Sequence, residues 1–86
     1  MNKFQESLEM YLQSQISKVG ALIKGSEDRL QYYHEYLKET KSDNTKKELS
    51  NMISYEINQN ELLTFRLNWL IKQVRILEDE MMGYTE

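Results

Sequence analysis

Few side chains in this sequence are suited to chemistry, and their spacing limits what that chemistry can be. His34 is the single histidine among 86 residues, and there is no cysteine. Neither a thiolate metal site nor a disulfide framework can be built from such a chain. Di-iron bundles need Glu-x-x-His pairs, and the residue three before His34 is Gln31. Bundle enzymes that hydrolyse nucleotides cluster acids on facing helices. Glu6 and Glu9 have a Glu-x-x-Glu spacing, but no Glu-x-x-Asp partner follows anywhere. No Ser/His/Asp grouping and no glycine-rich phosphate loop can be read. The expectation is a protein that is no enzyme, with no cofactor and no metal.

The remaining polar and aromatic residues suggest contact instead of catalysis. Glu56 falls on the apolar side of its helix, where a partly buried salt bridge with Arg29 would hold it. Of six tyrosines, Tyr32, Tyr33 and Tyr36 crowd one short segment. Tyr32 and Tyr36 point away from the apolar stripe, so they are candidates for contact with a partner protein. Lys38, Lys41, Lys46 and Lys47 stand close together, diluted by Glu39, Asp43 and Glu48. A solvated turn explains them, and phosphate contact is the sharper alternative. The C-terminal end carries Glu78, Asp79, Glu80 and Glu86, giving the chain a lengthwise charge asymmetry.

These residues must be positioned by helices. Leu63, Leu67, Leu70, Val74, Leu77 and Met81 are spaced 4-3-4-3-4, the spacing of a coiled-coil seam. Leu62, Phe65, Trp69 and Ile76 form a second row beside it. In the first half, Phe4, Leu8, Leu12, Ile16, Val19 and Ile23 share a face, with Tyr11 and Leu22 at its border. Lys24-Gly25-Ser26-Glu27-Asp28 is locally a stop-and-restart signal. The stripe nevertheless keeps its phase from Leu12 to Leu37 straight through it. The first arm is therefore expected to be kinked or broken near residues 25–26. There is no proline and only three glycines, which favours long helices.

Arms 3–40 and 46–83 are joined by a polar turn at 41–45, where Thr45 and Glu48 have the form of a capping box. Gly83 is the expected stop of the second arm. Each arm runs roughly 57 Å at 1.5 Å per residue. The fold class is all-α: one domain over 1–86, a long antiparallel helical hairpin. Facing residues should sum to about 86 when the turn is centred near Asp43, so Ser26 meets Asn60 in a polar register layer.

Apolar positions between residues 62 and 77 sweep about 200°, more than one neighbouring helix covers. Leu62, Leu63, Phe65, Leu67, Trp69, Leu70, Val74, Ile76 and Leu77 are thus expected to pack helices both within and between chains. A homodimeric four-helix bundle satisfies this arc. A sharp turn at 25–26 would satisfy it through a monomeric three-helix bundle, and a different protein could also fill the groove.

The net charge is −3, the wrong sign for a general nucleic-acid binder. No signal-peptide pattern or membrane-length apolar run is present, which suits a cytoplasmic protein with no membrane contact. The functional expectation is a small dimeric adaptor or regulator that binds and modulates a larger protein. The alternative is a helical dimer touching nucleic-acid phosphates through the lysine-bearing tip.

Overall fold

The computed structural model describes residues 3–83. Helix α1 spans Lys3–Glu39 and helix α2 spans Asp43–Gly83, leaving only 40–42 between them. They fold back on each other as an antiparallel hairpin measuring 66 × 16 × 14 Å, the dimensions of two helices side by side.

The turn is tighter than the sequence suggests, because Ser42 and not Thr45 caps α2. The Ser42 hydroxyl accepts the Thr45 backbone N–H at 3.3 Å, and its carbonyl accepts that of Lys46 at 2.9 Å. Thr45 is thereby drawn into the first helical turn, and Asp43 sits where an acid favours the helix dipole. On the other side, Thr40 N–H closes α1 on the Tyr36 carbonyl at 2.9 Å. Gly83, the last described residue, is helical. It does not take the left-handed conformation of a glycine stop, since no described glycine has positive φ.

Of the kink or break expected near 25–26, the break is absent: α1 passes through Gly25 and Ser26 as one helix, as the unbroken phase of its stripe implies. Ser26 has no accessible surface, because it is pressed against α2. Tertiary packing therefore overrides the local stop signal, and the three-helix alternative falls with the turn it needed. Gly25 has a helical backbone, and a Cβ added there would lie 3.4 Å from the Arg29 Nη1, an ordinary contact. Gly25→Ala should therefore stabilise the chain by about 0.5–1 kcal/mol in a urea titration. A loss of stability would mean that the position needs glycine's freedom.

The seam is filled by Leu12, Val19, Leu70, Val74 and Leu77, with Ile16, Ile23, Leu63, Leu67 and Met81 against them. Phe4 and Leu8 do not join it, being 76% and 37% exposed. The seam's 4-3 spacing, run backwards from Leu12, reaches Glu9 and Gln5 instead, and both are half-buried. Nearer the turn, Leu49 and Ile53 are buried on α2. Between the two stretches of core lies a polar layer.

Candidate interaction surface

The polar layer is a chain of side-chain hydrogen bonds across the seam. Arg29 donates to Glu56 Oε1 from Nε at 3.1 Å and from Nη2 at 2.7 Å. Asn60 donates to the Ser26 hydroxyl at 3.4 Å, and Thr64 donates to Asn60 Oδ1 at 3.5 Å. The expected meeting of Ser26 with Asn60, and of Arg29 with Glu56, is thus what the hairpin register produces. The Glu56 side chain retains 9% of its surface, whereas that of Arg29 retains 53%. Such a layer fixes register, because sliding either helix would strand buried polar groups in an apolar seam.

The Arg29 guanidinium holds the Glu56 carboxyl below its ordinary value of 4.5, assisted by the Ser26 hydroxyl and opposed by burial. A carboxyl whose folded value is depressed binds fewer protons folded than unfolded, so it stabilises the fold above about pH 4.5. That contribution fades as pH falls through the lower folded value. Glu56→Gln should flatten the acid limb of stability below pH 4.5, as read from melting temperatures across pH 2.5–6. An unchanged acid limb would mean that the ion pair contributes nothing in solution. Asn60→Leu should raise the melting temperature while admitting additional assembly states in native mass spectrometry. A single unaltered species would remove the register role from Asn60.

The outer surface is strongly two-sided. On α2, the residues immediately preceding seam positions include Met52, Tyr55, Leu62, Trp69 and Ile76. On α1 the equivalent positions include Phe4, Leu8, Tyr11, Leu22, Tyr32 and Tyr36. All are exposed. In an antiparallel pair these two flanks fall on the same side, and the clefts between the helices bear this out. Leu8 lines one cleft with Trp69 and Ile76, and Leu22 lines another with Tyr55. The flank that follows the seam is polar, apart from Met10, Ile57, Ile71 and Met82.

The residues expected to pack helices therefore divide into two sets. Leu63, Leu67, Leu70, Val74 and Leu77 fill the seam of a single hairpin. Leu62, Phe65, Trp69 and Ile76 are left 64%, 75%, 53% and 43% exposed. Tyr32 and Tyr36 contact each other with ring centroids 6.3 Å apart and belong to the same apolar side, toward the turn. Tyr55 and Met52 continue that side across α2 and were not anticipated from sequence. The seven-residue repeat Tyr55, Leu62, Trp69, Ile76 is the signal that would have found Tyr55.

Lys38, Lys41, Lys46 and Lys47 are all exposed around the turn. His34 is exposed on the polar flank, and Gln31 hydrogen-bonds Glu35 at 3.3 Å. Glu6 is exposed, and the half-buried Glu9 lines a cleft with Glu78 and Asp79 of the facing helix. Among the described residues no group of three or more His, Cys, Asp or Glu is placed to hold a metal ion. Nor is any described helix long and apolar enough to cross a membrane. Comparison with protein families, with curated proteins and with solved structures finds no match for this chain.

Proposed function

We propose that this protein is a non-enzymatic, dimeric helical module of the cytoplasm that binds and modulates a larger protein. One observation carries the reading: exposed apolar and aromatic side chains of both helices gather on one side of the hairpin. The chain exposes 6902 Å². A compact monomer of 10.4 kDa exposes about 5,400 Å² by the scaling of folded proteins. The excess is roughly 1,500 Å² per chain, or about 3,000 Å² for two copies, within the total that obligate homodimers bury. Tyr32 and Tyr36, with Tyr55 and Met52, form the tip end of the flank and are the proposed contact for the larger protein. Tyrosine suits that role, since it presents rigid apolar area with a polar end.

Light scattering across a hundredfold concentration range tests the reading. A stable dimer is the expected result, and a stable monomer would overturn it. The exposed tip lysines favour a second reading, contact with nucleic-acid phosphates. Binding to a duplex that weakens steeply as salt is raised would establish that alternative.

A further inference from the structure

We propose that a second copy of the chain lies antiparallel across the terminal half of the apolar flank, with the twofold axis near Trp69. The tyrosine-bearing tips then project beyond the overlap at both ends. This inference rests on the dimeric reading above and adds the face, the direction and the extent of contact.

The flank itself is divided. Leu22, Leu62, Trp69 and Ile76 are the apolar residues of its terminal part, which also carries the exposed Lys18 and Arg66, and Tyr55 and Tyr32 make its tip part. Gly25, Gln59 and Arg29 lie between them, at the level where the polar layer also splits the core. An aliphatic and tryptophan surface with an arginine near its centre and polar residues around it is the kind of patch that a second copy buries.

The charges at the two ends of the overlap decide the direction, because Lys18 and Arg66 lie within three residues of the axis level and come beside their own counterparts in either arrangement. Glu80 is the one acid of the flank's terminal part, and it lines the same cleft as Leu8 and Trp69. With the axis at Trp69, the residues facing Glu80 of one copy stand about 16 Å beyond the axis on the other, by helical rise. That is within one residue of the level of Arg29. Arg29 gives Nε and Nη2 to Glu56, and its Nη1 lies beside Gly25 on the flank. Glu80 of each copy therefore meets the half-exposed guanidinium of the other. A parallel arrangement would instead set Glu80 against Glu80 and one lysine tip against the other, which like-charge repulsion disfavours.

The chain has no native cysteine, so spin labels can be placed one at a time. Ser54→Cys, Glu61→Cys and Asn68→Cys sit seven residues apart on the exposed polar side of α2. Double electron–electron resonance should give label separations that fall in that order. Their components along the axis are about 45, 24 and 3 Å from the helical rise. Three equal separations would mean a parallel dimer and overturn the direction. A minimum at Glu61 would place the axis mid-hairpin, cover the tips and overturn the extent. An Asn68 separation short enough to broaden the continuous-wave spectrum would put the labelled side in the interface and overturn the face. A monomeric mass by light scattering would overturn the dimeric reading itself.

Discussion

Leu70→Ala should cost the chain about 2–5 kcal/mol of folding stability, the range for emptying a large aliphatic site in a packed core. Leu70 is only 3% exposed and packs in one cluster with Leu12, Val19, Val74 and Leu77. A two-helix seam is one side chain deep, so its neighbours cannot close over the vacancy from a further layer. Small domains have only about 5–15 kcal/mol in total, so this single change threatens the fold. The check is a urea titration followed by far-ultraviolet circular dichroism, with both proteins at the same concentration. Loss of under about 1 kcal/mol would mean that the hairpin seam is not what holds the two helices together.

Trp69→Ala, one residue away, should act on assembly. In the single chain Trp69 is 53% exposed, with Phe65, Asn68 and Lys72 around it. Truncating it removes its packing beside Leu8, Leu12 and Leu77, and it also removes the residue nearest the proposed twofold axis. Tryptophan at the centre of an interface typically carries 2 kcal/mol or more. The dimer dissociation constant should therefore rise roughly 30-fold or more, while helicity at high concentration is retained. Sedimentation equilibrium of the two proteins reads this directly. Equal dissociation constants would place the contact elsewhere on the surface. The contrast between neighbours follows from the helix: 100° of rotation separates a side chain in the seam from one on the flank.

Most of the hairpin was legible because helical periodicity is a local property. The Leu63 to Met81 stripe gave the seam of α2, and matched arm lengths gave the antiparallel pairing and the Ser26–Asn60 and Arg29–Glu56 levels. The errors came where two local signals competed. Thr45 with Glu48 had the form of a capping box, yet hydrogen-bond geometry makes Ser42 the cap. Phe4 and Leu8 were apolar enough to enter the seam, but its phase excluded them. Tyr32 and Tyr36 were correctly placed away from the seam. Their side of the molecule could not be known until the partner helix was oriented.

The sequence by itself determined that this chain forms two long helices with one apolar seam, since spacing and the lack of proline act within each helix. Only the tertiary structure decided that α1 runs through Gly25 and Ser26, because the burial of Ser26 against α2 is a contact between distant residues. It alone also gathered the preceding-position residues of both helices onto one side. An antiparallel pairing superposes those flanks, and that superposition gathers scattered exposed side chains onto one surface.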